Sequence, residues 1–278
     1  MNIPKGKLIP IGGHEAKSDA PREDQHIDFK NGVLKDIIRE IRGNHPSIVV
    51  VPIASKSQEE MIRIYRDAFA RLDLKIDAII ANTKKDLDDK GSLKKLTESD
   101  GIFISGGDQV KLKDMLMNTE FLRILRSRYE NENFTIAGTS AGAMILSEHM
   151  IYSGASEGSV IKGLIKLNGG FSFIPNTIID THFLNRGRFA RLIEATIQKP
   201  DCVGIGLSED TALVITKGNE MRAIGSGTVT IFESDRTKNS NYSRIADKEP
   251  VFIENIRMHI LAEGVAYLIK SRKFRLLE

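Results

Sequence analysis

Gly138-Thr139-Ser140-Ala141-Gly142-Ala143 constrains this 278-residue chain more than any other stretch. The apolar run Phe134-Thr135-Ile136-Ala137 leads into it, and the helix-like segment Ala143-Met144-Ile145-Leu146 leaves it. A serine between small residues at a strand-to-helix turn reads as a nucleophile elbow. The glycines let the backbone turn sharply, so Oγ projects from the sheet edge with a backbone N–H beside it. A plain tight turn would use the same residues, so the rest of the chain has to supply the remainder of a hydrolytic site.

That remainder begins with the order of elements. Leu8-Ile9-Pro10-Ile11 ends at Gly12-Gly13, and Ser47 to Pro52 is a buried-strand run followed by a helical pattern from Glu59 to Leu72. Ile76 to Ile80 reads as a strand, Lys84 to Leu96 as a charged helix, and Ile102-Phe103-Ile104 stops at Ser105-Gly106-Gly107, with a helix starting near Asp108. Thr177 to Asp180 is a further strand, followed by a helix from about Gly187 to Gln198. Such alternation predicts an α/β fold with a mostly parallel central sheet and helices on both faces. After Val203 the runs Ala212–Ile215, Arg222–Ile224 and Val229–Phe232 predict a strand-rich C-terminal edge, and the polar stretch Ser234 to Asp247 reads as a mobile loop. No repeat or linker divides the chain, and residues 1–278 are expected to form one domain.

Composition narrows the class. A formal charge of +3 with dispersed basic residues gives no nucleic-acid footprint. Cys202 is the one cysteine, so there is no intrachain disulfide and no cysteine zinc site; a buried structural thiol in a reducing compartment is expected. No apolar run approaches the ~20 residues of a membrane span, and Met1 to Lys7 lacks a signal-like apolar stretch. A cytoplasmic enzyme without membrane or nucleic-acid partners is the expectation.

In open α/β sheets ligands gather at the carboxyl ends of strands. Gly12-Gly13-His14-Glu15, Gly106-Gly107-Asp108-Gln109, the Ser140 turn and Asp180-Thr181-His182 all fall at such ends. A serine needs an imidazole to take its proton and a carboxylate to hold the imidazole tautomer. Of six histidines, His182 stands best, after a strand and before a helix; His26 and His45 lie in polar turns, His149 late in the helix after Ser140, and His259 in an apolar run. His14 follows Gly13 and could line a site. Glu157, on a Gly/Ser-rich loop between serine and histidine, is the favoured acid. Asp180 lies too close to His182 along the strand to orient its ring. Ala141 N–H is the natural first oxyanion donor and Gly107 N–H the second. Arg188 and Arg191, three apart on a helix, together with Arg186, suit bidentate capture of a substrate carboxylate.

Taken together, Ile11 to Glu15, Ile104 to Gln109, Gly138 to Ala143, Asp180 to Arg188 and Gly204 to Ala212 resemble the matching blocks of the cyanophycinase group of serine peptidases (peptidase family S51), relatives of dipeptidase E. The resemblance spans most of the chain. It implies a glutamine-amidotransferase-like (flavodoxin-like) fold, a single S51-like domain, a homodimer, and a serine exopeptidase with no cofactor and no metal. The implied substrate is cyanophycin, a poly-aspartate with arginine on each β-carboxyl, cut to β-Asp-Arg. Carried over, Ser140 is the nucleophile, His182 the base and Glu157 the orienting acid. Gln109, Asp180, Thr181, Arg186, Arg188 and Arg191 line the substrate pocket, Asp180 pairing with the substrate guanidinium and the arginines with its carboxylates. Thr181 stands where the group has glutamine. The alternatives are a dipeptidase for short Asp-X peptides and a non-catalytic binding homologue.

Overall fold

Apolar residues on both faces of consecutive short strands require covering layers on each side, and this chain supplies them. The structure is a computed structural model that describes residues 3–17, 32–41, 46–154 and 158–277. The first part of the chain runs β1 (Lys7–Ile11), α1 (Val33–Glu40), β2 (Ile48–Val51), α2 (Gln58–Ala70), β3 (Ile76–Ala78), α3 (Lys84–Leu87), α4 (Lys90–Glu98) and β4 (Gly101–Ile104). Next come α5 (Gln109–Leu116), α6 (Glu120–Asn131), β5 (Thr135–Thr139), α7 (Ala141–Met144), β6 (Ser147–Gly154), β7 (Ile165–Gly169), β8 (Ile174–Asp180) and α8 (Phe189–Gln198). The last part is all strand: β9 (Val203–Leu207), β10 (Thr211–Thr216), β11 (Glu220–Gly225), β12 (Val229–Glu233), β13 (Arg257–Leu261), β14 (Val265–Leu268) and β15 (Lys273–Leu276).

These strands form two sheets. The larger has the order β15-β14-β11-β10-β1-β5-β4-β2-β3. Its β1, β5, β4, β2 and β3 are parallel, and β10, β11, β14 and β15 form an antiparallel edge. The α/β class and the strand-rich C-terminal edge are as expected. The second sheet, β13-β12-β9-β8-β6-β7, was not foreseen: Thr177 to Asp180 and Val229 to Phe232 belong to it rather than to the central sheet. Within it β6, β8 and β9 run parallel.

The two-residue period of strands sets the layers. Ile9, Ile48, Val50, Phe103 and Ala137 point to one side of the larger sheet, where Val33, Leu34 and Ile37 of α1 and Tyr65 and Phe69 of α2 cover them. The alternate residues Leu8, Val49, Val51, Ile102, Ile104 and Ile136 face α4, α5 and α6 and also Val203, Ile205 and Leu207 of β9. Strand β9 thus has its large residues against the first sheet. Its glycines face the other way, because a Cβ at Gly204 would meet Thr196 and Leu192 of α8, and one at Gly206 would meet the Phe183 ring. This packing fixes Phe183, and with it the backbone of the neighbouring His182, against the second sheet.

Other boundaries differ locally. Lys84 to Leu96 is two helices, because Asp89 leaves the helical conformation and its Oδ1 caps α4 by accepting from the Gly91 and Ser92 N–H groups. The helix after Ser140 has only four residues, so His149 lies on β6, not on a helix. Ser234 to Asp247 contains no helix or strand, yet it is tied down by Ser234 Oγ donating to Thr196 O at 2.6 Å and by Lys238 N–H donating to Glu254 O at 3.2 Å. Cys202 is buried, as expected, and burial pushes its thiol up to about 11. Among the described residues no helix is long and apolar enough to cross a membrane.

Candidate active site

The carboxyl ends of β1, β4 and β5 in one sheet and of β8 and β9 in the other converge, and the turn after β1 binds them together. Ser140 N–H donates to Ile11 O at 3.1 Å, His182 N–H to Gly12 O at 2.8 Å, and Asp210 N–H to Gly13 O at 3.0 Å. Gly13 has φ 95°, and a Cβ there would collide with the His182 imidazole, so only glycine lets the ring lie against this main chain. The sequence order alone had suggested that these turns meet; the hydrogen bonds show how.

Ser140 follows β5 directly, with φ 53° and ψ −112°. A β-substituted residue held there is strained, which is the mark of a nucleophile elbow. Its Oγ lies 3.2 Å from His182 Nε2. His182, also at positive φ (51°), places Nδ1 2.7 Å from Glu209 Oε1. Burial holds the imidazole below its ordinary value; the hydrogen bond it donates to Glu209 raises it, while the Arg186 charge lowers it again. The ring is therefore neutral at neutral pH and able to accept a proton. Ala141 opens α7, so its N–H has no acceptor within the helix. Gly107 lies in the turn after β4 that packs on Ser140 through Gly106, and among the described residues its N–H has no hydrogen-bond acceptor. Both expected oxyanion donors therefore sit on turns that adjoin the serine.

The expected acid, Glu157, lies outside the described residues, as do His26 and His45. The carboxylate that meets His182 is Glu209, in the Ser208-Glu209-Asp210 turn by which the chain leaves β9 for β10. Glu209 is thus the candidate acid that the described residues supply. Asp210 beside it accepts from Ala16 N–H at 2.9 Å and Ser226 Oγ at 2.9 Å, which pins the turn. A usable signal existed: a carboxylate closing an apolar strand run at the same sheet edge, downstream of histidine instead of upstream.

The arginine expectations also change. Asp180 is fully buried; its Oδ1 accepts from Arg188 Nη1 at 3.0 Å and Arg191 Nη2 at 2.8 Å, and its Oδ2 from Arg191 Nε at 2.7 Å. Asp180, Arg188 and Arg191 thus bind one another, one carboxylate shared by two guanidinium groups. Replacing Asp180 with alanine would leave two guanidinium groups buried without their carboxylate, a loss of about 3–5 kcal/mol. The expected readout is a large drop in the denaturant midpoint of unfolding; an unchanged midpoint would remove the structural role. Thr181 is buried, and Gln109 turns its Nε2 to Tyr152 O at 3.1 Å. Arg186 alone of the three arginines is exposed, with its N–H donating to His182 O at 3.0 Å.

An open cavity of about 320 Å³ adjoins the serine, lined on one side by Ser140, His182, Gly13 and Gly106 and on another by Glu15, Lys17, Met61 and Tyr65. His14 stands at its mouth, its ring edge-on to His182 at 5.0 Å and its Nδ1 3.8 Å from Glu209 Oε1. His14, His182 and Glu209 bring one ligand atom each within 4.8 Å of the others. A divalent ion there would take up the His182 ring and its Glu209 partner, so metal binding and proton transfer would compete.

Residues 25–223 match the sequence profile described as peptidase family S51. A cyanophycinase of Synechococcus elongatus is 34% identical over 270 residues, covering 97% of this chain and 81% of the relative. One from Trichormus variabilis (strain ATCC 29413 / PCC 7937) is 32% identical over 272 residues, covering 96% and 87%. Among solved structures, a peptidase from an acI-B1 Actinobacterium superposes with a TM-score of 0.61 at 23% identity, over 84% of this chain and 93% of that one.

Proposed function

Because the chain belongs to peptidase family S51 and is a serine-type peptidase, we propose that Ser140, His182 and Glu209 form its catalytic triad and that its substrate is cyanophycin. The observation that carries the mechanism is the continuous path from Ser140 Oγ to His182 Nε2 at 3.2 Å and from His182 Nδ1 to Glu209 at 2.7 Å, at the wall of an open cavity. His182 takes the Ser140 proton as Oγ attacks the scissile carbonyl carbon. Glu209 holds the Nδ1–H and balances the imidazolium. The negative oxygen of the tetrahedral adduct accepts from the Ala141 and Gly107 N–H groups. On collapse the C–N bond breaks, His182 passes its proton to the leaving amine, and the acyl group stays on Ser140. Water then attacks the ester, giving its proton to His182, and Ser140 is restored with release of the carboxylic acid.

The polymer reading is supported by the length and continuity of the similarity to the two cyanophycinases. The open cavity is compatible with a substrate that continues beyond the cleaved unit. Digestion of purified cyanophycin should release β-Asp-Arg, identified by its mass. Hydrolysis of free Asp-X dipeptides with no release from the polymer would overturn the substrate and leave the peptidase mechanism.

A further inference from the structure

The triad does not use one group of charged residues in the cavity. Glu15 is 1% exposed, yet it is a carboxylate. Its Oε2 accepts from Thr139 Oγ1 at 2.9 Å, and Thr139 precedes the nucleophile in the chain; its Oε1 accepts from the Tyr65 hydroxyl. Lys17 Nζ lies 3.2 Å from Glu15 Oε1 and 5.2 Å from the centre of the Tyr65 ring. Burial raises the Glu15 carboxyl, but Lys17 and the hydrogen bonds from Tyr65 and Thr139 outweigh it and bring it down to about 2. Glu15 is therefore a carboxylate at neutral pH.

A lysine on a flexible stem gives up side-chain entropy when a ligand fixes it. Here Glu15 and the tyrosine ring have already fixed it. The ammonium group reaches Glu15 at Oε1 (3.2 Å) and at the main-chain oxygen (3.4 Å), and 25% of the side chain stays open at the cavity. The Glu15 carboxylate lines the same cavity, so an anionic substrate would be repelled there without the Lys17 charge.

We propose that Lys17, braced by Glu15 against the Tyr65 ring, is the contact for a substrate carboxylate lying beside the scissile bond. The inference rests on the peptidase reading and deepens it: the peptide this site prefers carries a free carboxylate on the side branch of the residue whose carbonyl is cleaved. In cyanophycin each arginine, attached through its α-amino group to an aspartate β-carboxyl, keeps such a carboxylate.

The test measures binding, so that it stands apart from turnover. In the Ser140→Ala protein, calorimetry compares a three-repeat β-Asp-Arg oligomer with free carboxylates against the same oligomer with those groups as primary amides. The acid form should bind about 10–100-fold tighter, the range for a charge-assisted hydrogen bond. Lys17→Met should erase that ratio and Lys17→Arg should keep most of it. Because Lys17→Met also strips Glu15 of its counter-ion, the double variant Lys17→Met/Glu15→Gln restores charge balance and should likewise show no preference. A preference that survives in the double variant, or equal binding of the two forms before any change at Lys17, overturns the assignment, as does failure to bind either. A Lys17-dependent preference in a protein whose Ser140 form does not cleave the polymer would keep the assignment and remove the proposed activity.

Discussion

Ser140→Ala is expected to lower kcat by about 10⁵–10⁶, the scale set by removing a nucleophile whose partners act as one unit. The structure also says that this loss should come without unfolding. Ser140 makes no side-chain cap to α7, and its Oγ meets only the His182 imidazole among the described residues. Alanine keeps the Cβ that the strained backbone already accommodates, so stability should stay within about 0.5 kcal/mol. Steady-state rates on the polymer, thermal melts and labelling by a fluorophosphonate probe give the three readouts. A variant that keeps most of the parent rate would dismiss Ser140, and an unlabelled parent protein would favour a binding homologue instead.

The parts of the fold legible in sequence were those that local pattern decides. Ile48 to Val51 and Gly101 to Ile104 are buried along their whole length, so an uninterrupted apolar run marks each of them. The break within Lys84 to Leu96 was also written locally, in the Asp89 cap, but a charged helical pattern on both sides concealed it. Sheet membership is a different kind of information. Ala212 to Ile215 and Val229 to Phe232 have the same apolar character, yet β10 pairs with β1 and β12 with β9. Nothing within either segment specifies its partner; the glycines of β9, which admit α8 and Phe183 on one side, help decide the second sheet.

The same distinction runs through the site. Ser140 and His182 were legible because each sits at a strand end with small or polar neighbours. Asp180, Arg188 and Arg191 carry the chemistry of ligand recognition, and only their burial together reveals that the carboxylate is already shared by two guanidinium groups. Charged side chains at helical spacing show that they can bind an anion; they do not show whether that anion belongs to the substrate or to the protein's own preceding strand.

Glu209→Gln should lower kcat by about 10³–10⁴, the scale for losing the charge behind a catalytic imidazole. The amide is of similar size, so the fold is kept. It no longer balances the imidazolium, and it can present its NH₂ to Nδ1 and so favour the wrong tautomer. The pH profile should move as well. The Glu209 hydrogen bond and charge both raise the His182 pKa against the burial that lowers it. Removing them leaves burial and the Arg186 charge, so the imidazole titrates lower still. Activity requires the neutral ring; the acidic limb of kcat/KM should therefore shift to lower pH even as the plateau falls. The same measurement on Glu157→Gln separates the two carboxylates. A loss of that size there, with Glu209→Gln near the parent rate and its acidic limb unmoved, would return the orienting role to Glu157.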